Sequence, residues 1–107
     1  MTDIKKIDTI VLDLDEHLVN SYHVGNSQSS MNFAKDYYGM HWEYAEVSLG
    51  NRDNYITFLR PFARELVQFS HTLVGMENVF ILSAGLVHYV KYVNKELNLG
   101  VLDANIY

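Results

Sequence analysis

Ile7-Asp8-Thr9-Ile10-Val11-Leu12-Asp13-Leu14-Asp15-Glu16-His17-Leu18-Val19 is the stretch that decides the fold. Its opening, Ile7 to Leu14, is short, β-branched and almost continuously apolar, the pattern of a strand buried on both faces in a parallel sheet. A second such run, Val79-Phe80-Ile81-Leu82, stops at Ser83-Ala84-Gly85. Between the two, Arg60-Pro61-Phe62 opens a helical pattern in which Phe62, Leu66, Phe69 and Leu73 recur at three- and four-residue spacing. Pro61 suits the first helical turn, where a missing N–H costs nothing. After Gly85, the stripe Leu86, Val90, Val93 and Leu97 predicts another helix, stopping near Gly100. Tyr55-Ile56-Thr57-Phe58-Leu59 reads as a short strand feeding the first helix. Strand, insert, helix, strand, helix gives an α/β architecture with right-handed crossovers.

The insert spans residues 23–54. Gly25-Asn26-Ser27-Gln28-Ser29-Ser30 is a loop by composition, and Met31 to Leu49 reads as a helix followed by a strand or hairpin. This stretch carries Phe33, Tyr37, Tyr38, Trp42 and Tyr44, which serve either as ordinary packing or as anchors at a protein interface. The 107 residues accommodate one domain, and 49% hydrophobic with 20% charged residues argues against disorder. With no cysteine, disulfides, thiolate zinc sites and thiol nucleophiles are excluded. The net charge is −5, and Lys5, Lys6, Lys35, Arg52, Arg60, Arg64, Lys91 and Lys95 are scattered rather than clustered. Neither nucleic acid nor an acidic membrane surface is therefore an expected partner. No run approaches the roughly 20 apolar residues that span a bilayer, and the amino terminus lacks a signal-peptide pattern. The expected location is the cytoplasm, of the source cell or of a host.

Asp13 and Asp15 leave the carboxyl end of a buried strand, the place where open α/β sheets bind ligands. Two readings fit the spacing alone. One is a strand-end turn with solvated aspartates; the other is a pair of acids kept for a cation or a reaction. Other chemistries find little footing. The histidines His17, His23, His41, His71 and His88 have no i,i+4 pairing, so zinc is not expected. No glycine stands two residues ahead of Ser83, which rules out a nucleophile elbow.

Asp13-Leu14-Asp15 followed by Leu18-Val19 resembles the first motif of the haloacid-dehalogenase superfamily. The wording Leu12-Asp13-Leu14-Asp15-Glu16, with Leu18-Val19 behind it, is closer still to phosphatases acting on the carboxy-terminal domain of RNA polymerase II and their small NLI-interacting relatives. Arg60-Pro61-Phe62 resembles that family's Arg-Pro-Gly, with Phe62 in place of glycine. Ile81-Leu82-Ser83-Ala84-Gly85, with Tyr89 in the next helix, resembles its second motif. The resemblance implies a Rossmann-like, three-layer α/β domain of the dehalogenase type and Mg²⁺-dependent phosphomonoester hydrolysis. It assigns Asp13 as the nucleophile that becomes an aspartyl-phosphate, and Asp15 as general acid and later base. Mg²⁺ would be bound by Asp13 and Asp15, and a phosphoryl oxygen by Ser83 and Ala84 with the amides that open the following helix.

Two departures accompany the likeness. His17 stands where the family has Thr or Val; it is either an exposed turn residue or an accessory group beside the carboxylates. The family's third motif, a lysine, and its fourth, an acidic pair, find no counterpart before Tyr107; Lys91, Lys95 and Asp103 do not obviously replace them. The expectation is a shortened sheet with an open edge, covered by a homodimer or a partner protein. The alternative to a phosphatase is an inactive binding module or inhibitor that keeps the scaffold and engages a protein through its aromatic insert or its exposed sheet edge.

Overall fold

Two sheets organise this computed structural model, in which residues 7–25, 27–38, 42–50 and 54–107 are described. The first sheet pairs β1 (Ile10–Leu12) in parallel with β5 (Val79–Ile81), Ile10 opposite Val79 and Leu12 opposite Ile81. The chain end adds to it: Ile106 forms a parallel bridge with Ile81, and the Tyr107 N–H donates to the Ile81 carbonyl at 2.9 Å. This single bridge lies beside β5, while β1 is the open edge among the described residues. The second sheet is antiparallel in the order β2 (Val19–His23), β4 (Asn54–Leu59), β3 (Tyr44–Ser48). Helix α1 (Gln28–Tyr38) joins β2 to β3, α2 (Ala63–Val74) joins β4 to β5, and α3 (Val87–Glu96) follows β5. The amino-terminal Met1 to Lys6, Asn26, His41 and Arg52 of the sequence reading lie outside the described residues, as does the Tyr38 side chain.

The two apolar runs pair as the sequence predicts, but the first is not buried on both faces. Its residues alternate: Leu12 and Leu14 point into the core, while Val11 is 57% exposed and Asp13 is exposed beside it. The period of two places Val11 and Asp13 on one side of the strand and the leucines on the other. Ile7 precedes the strand and is exposed as well. Leu14, Leu18, Val67, Val79, Ile81, Val90 and Val93 form the fully buried centre of the main core. Each contributes about 1.5–3 kcal/mol by leaving water.

Helix α2 begins at Ala63, so Pro61 and Phe62 form the turn before it rather than its first turn, and its small-residue face lies inward. Ala63, Val67 and Ser70 are buried, whereas Phe62, Leu66, Phe69 and Leu73, the apolar residues recurring at helical spacing, are exposed. Periodicity marks an apolar stripe without saying which neighbour covers it. The smaller residues of the other face are the ones that lie against the core. Helix α3 follows the expected pattern more closely, burying Val90, Val93 and Leu97 but exposing Leu86. It ends through Asn98 and Gly100, both at positive φ. Asn94 then fastens the exit, its side chain accepting from the Val101 N–H at 3.1 Å and donating to the Val101 carbonyl at 2.7 Å.

The predicted loop 25–30 is shorter than its composition suggests, because α1 begins at Gln28. Ser27 is the reason: its Oγ accepts the Ser30 N–H at 3.1 Å, a side-chain cap of the first turn. A second core lies under this helix, where Met31 and Ala34 meet Ile56 and Phe58 of β4, with Trp42 against them. Trp42 and Tyr44 thus pack on Phe58, at 6.4 and 5.8 Å between ring centroids. Phe33 and Tyr37 instead stack on each other at 5.8 Å, both exposed.

Candidate active site

The carboxyl end of β1 runs into a tight loop built around one carbonyl. The Leu14 oxygen accepts N–H groups from His17, Leu18 and Val19 at 3.3, 2.9 and 3.1 Å. Glu16 closes the loop by donating its N–H to the Val19 carbonyl at 2.8 Å, and it adopts the left-handed conformation, φ 60°, to do so. Fully buried Leu14 and Leu18 pin the loop from below, and Arg60 Nη1 donates to the Glu16 carbonyl from across the site at 2.9 Å. The chain reversal directs Asp15 inward while Asp13 remains exposed, its Oδ1 accepting the Leu14 N–H at 2.9 Å.

Asp15 reaches a cavity of about 390 Å³ shared with Glu16, Ser21, Leu49, Tyr55, Gly85, Leu86 and Tyr89. Both sheets contribute, Ser21 and Tyr55 from the antiparallel one and Asp15 from the exit of β1. The Asp15 carboxyl is raised above its ordinary range chiefly by burial. A hydrogen bond from the Tyr89 hydroxyl opposes that rise, and the charges of Asp13 and Glu16 add to it. The Tyr89 phenol is raised too, first by burial, with the Ser21 and Thr57 hydroxyls working against that.

Beside β1, the end of β5 turns through Ser83-Ala84-Gly85. Ser83 Oγ accepts the Gly85 N–H at 3.1 Å. A Cβ placed on Gly85 would stand 3.4 Å from Ser83 Oγ, 3.7 Å from the Tyr89 ring and 3.8 Å from Asp15 Oδ2. Glycine here lets the backbone approach the carboxylate and the serine together. Ser83 and Asp15, far apart in sequence, thus flank one residue. Ala84 is exposed on the same turn, and His17 is exposed on the preceding loop; neither they, nor Asp13 or Ser83, line the cavity itself.

The remaining charged candidates lie elsewhere. Lys91, Lys95 and His88 border a separate groove along α3, where Lys91 pairs with Asp103 at 3.4 Å. Sequence reasoning identified Tyr89 as a landmark but gave it no place in the site, and it missed Ser21, Thr57 and Tyr55. Their meeting depends on the register of β2 against β4, in which Ser21 stands opposite Thr57. Among the described residues no group of three or more histidine, aspartate and glutamate side chains is placed to hold a metal ion. No helix among them is long and apolar enough to cross a membrane.

No curated protein sequence matches this chain. Among solved structures, that of the fission yeast RNA polymerase II CTD phosphatase Fcp1 bound to beryllium fluoride is similar, with a TM-score of 0.65 at 15% identity. The match covers 94% of this chain and 29% of that one, so the chain spans well under half of the protein it resembles. The likeness supports the dehalogenase-type α/β fold described above. Residues 8–102 match the family described as NLI interacting factor-like phosphatase, a span that takes in both strand ends and the loop between them. The chain belongs to the NLI interacting factor-like phosphatase family of the haloacid-dehalogenase superfamily.

Proposed function

We propose that this domain hydrolyses phosphomonoesters through an aspartyl-phosphate on Asp13. The observation that carries the reading is the convergence of Asp15 with Ser83 and Gly85 beyond the carboxyl ends of the neighbouring parallel strands β1 and β5, with Asp13 at the exit of β1 two residues before Asp15. A carboxylate oxygen of Asp13 attacks phosphorus, and the bond to the leaving oxygen breaks. Asp15 gives that oxygen its proton, a role suited to a carboxyl whose burial favours the protonated form. Asp15 then takes a proton from water, whose oxygen attacks phosphorus, releasing phosphate and restoring Asp13. Ser83 Oγ and the amides of the turn after β5 orient the phosphoryl oxygens.

The donor set fits Mg²⁺, which takes oxygen ligands from one or two carboxylates and completes its shell with water and substrate phosphate. Asp13, through a carboxylate oxygen, and Asp15, through its main-chain carbonyl, are the residues that would hold it. When bound, the ion neutralises charge on the phosphoryl group. Impaired turnover is part of the proposal, because among the described residues neither lysine nor arginine lines the Asp15 cavity. Each missing donor to the transition state costs about 10²–10³ in rate. Because the similar solved structure is a CTD phosphatase, the substrate class we favour is a phosphorylated polypeptide.

The test is hydrolysis of an aryl phosphate with Mg²⁺ and with chelator, beside Asp13→Asn and Asp15→Asn. Slow, metal-dependent turnover abolished by Asp13→Asn is expected; turnover equal in all samples overturns the reading. A second reading, a protein-binding module without catalysis, draws on the exposed α2 stripe of Phe62, Leu66, Phe69 and Leu73 and on the exposed Phe33–Tyr37 stack. Concentration-dependent mass in sedimentation, with no turnover, favours it.

A further inference from the structure

Three hydroxyl groups lead from the interior of the antiparallel sheet to the Asp15 carboxylate. Thr57 Oγ1 lies 2.8 Å from Ser21 Oγ, Ser21 Oγ 2.5 Å from the Tyr89 hydroxyl, and that hydroxyl 3.4 Å from Asp15 Oδ1. Thr57 is fully buried and Tyr89 nearly so, at 0% and 7% exposure, which leaves these groups little water to bond with instead. Proton bookkeeping then gives the chain a direction. An ionised carboxylate only accepts, so the single Tyr89 proton is the one that can point to Asp15. With that proton committed, the Tyr89 oxygen is left to accept, and Ser21 Oγ at 2.5 Å and Thr57 Oγ1 at 3.4 Å are the hydroxyls placed to donate to it.

We propose that Tyr89 is the positioning residue for Asp15: its hydroxyl, fixed by Ser21 and Thr57 across the β2–β4 pair, aims the carboxyl into the cavity. This rests on the phosphatase reading for its consequence but not for its geometry. The anchoring comes from two directions. Ser21 and Thr57 are held opposite each other by strand register, and the Tyr89 ring packs against Tyr55 at 6.3 Å between centroids. Helix α3, which follows the phosphate-side turn, is thereby tied to the sheet that roofs the site.

The test uses two readouts. The first is independent of turnover: three-bond couplings between the Asp15 side-chain carboxyl carbon and its backbone nitrogen and carbonyl carbon report χ1. A single rotamer is expected in the unaltered protein, with averaging among rotamers in Tyr89→Phe and Ser21→Ala and recovery in Ser21→Thr. The second is kinetic. Tyr89→Phe is expected to lower kcat about tenfold with KM unchanged, and to cost nothing further in an Asp15→Asn background. One Asp15 rotamer in Tyr89→Phe, a rise in KM with kcat intact, or an undiminished Tyr89→Phe cost alongside Asp15→Asn would each overturn the proposal. Absence of any Asp13-dependent turnover defeats the phosphatase reading instead, and the couplings still decide the positioning role. Urea unfolding of Tyr89→Phe, expected to leave a cooperative transition, separates steering from collapse of the fold.

Discussion

Adding one methyl group at Gly85 should separate stability from function. Gly85 does not lie at positive φ, so alanine can adopt its backbone conformation. Such a change stabilises by about 0.4–1 kcal/mol, because alanine has fewer unfolded conformations to lose. The new Cβ would stand 3.4 Å from Ser83 Oγ and 3.8 Å from Asp15 Oδ2, ordinary contact or slightly tighter, with the nearest atoms at side-chain ends that can yield. Folding should therefore be unharmed or slightly improved. The phosphoryl oxygens must come within about 3 Å of the same serine, in the space the methyl occupies. Displacing a reacting group by about 1 Å costs about 10²-fold in rate, near 2.7 kcal/mol of barrier. Gly85→Ala should accordingly show an unfolding midpoint in urea at or above that of the unaltered protein, and kcat/KM for an aryl phosphate reduced about a hundredfold. A kcat/KM within twofold of the starting value would refute the placement of substrate at this turn. A loss of more than about 2 kcal/mol in stability would refute the packing argument.

Other expectations concern the scaffold. Phe62 sits at φ 67°, ψ 7° in the turn closed by the Ala63 N–H to the Arg60 carbonyl at 3.2 Å, a conformation costing a non-glycine residue about 1–2 kcal/mol. Phe62→Gly should exceed Phe62→Ala in stability by about 1 kcal/mol by urea unfolding, since both lose the ring and only one relieves the backbone. Asn94→Ala strips partners from both main-chain polar groups of buried Val101 and should cost about 2–4 kcal/mol, read from the same unfolding curves. Tyr89 supplies a pH dependence. Burial raises its phenol above the ordinary value of 10.0, so its folded pKa exceeds the unfolded one. Its contribution is complete below about pH 10 and is lost as pH climbs from there through the folded pKa. The unaltered protein should lose more stability than Tyr89→Phe over that alkaline window, measured by unfolding at stepped pH.

The parallel pair, and the place of Asp13 and Asp15 just beyond its first strand, were legible because each depends on a local pattern. A short apolar run followed by Asp13 and Asp15, and another followed by Ser83-Ala84-Gly85, give both strand ends without knowledge of their partners. Arg60-Pro61-Phe62 likewise marked the start of α2, and the structure explains its odd residue. The position that is glycine in the resembled motif is left-handed here, and Phe62 occupies it with its ring in solvent. The facing of α2 was not legible. Two stripes run along that helix, one of large residues and one of Ala63, Val67 and Ser70, and which stripe goes inward depends on how closely the helix must approach its neighbours. The hydroxyl chain was hidden for a different reason. Ser21, Thr57 and Tyr89 are separated by 36 and 32 residues, and only strand register and the placement of α3 bring them together. The apparent loop at 25–30 hid a helix start because serine favours turns and caps alike, and Ser27 uses its side chain for the second.

The most direct measurement of the central claim is chemical capture of the intermediate. The protein is incubated with an aryl phosphate and Mg²⁺, quenched with borohydride, digested and sequenced by mass spectrometry. Borohydride reduces an acyl phosphate to the alcohol, so homoserine at position 13, absent without substrate and absent from Asp13→Asn, is the expected result. Phosphate release with Asp13 unreduced, or reduction at a different carboxylate, would contradict the assignment of Asp13 as nucleophile.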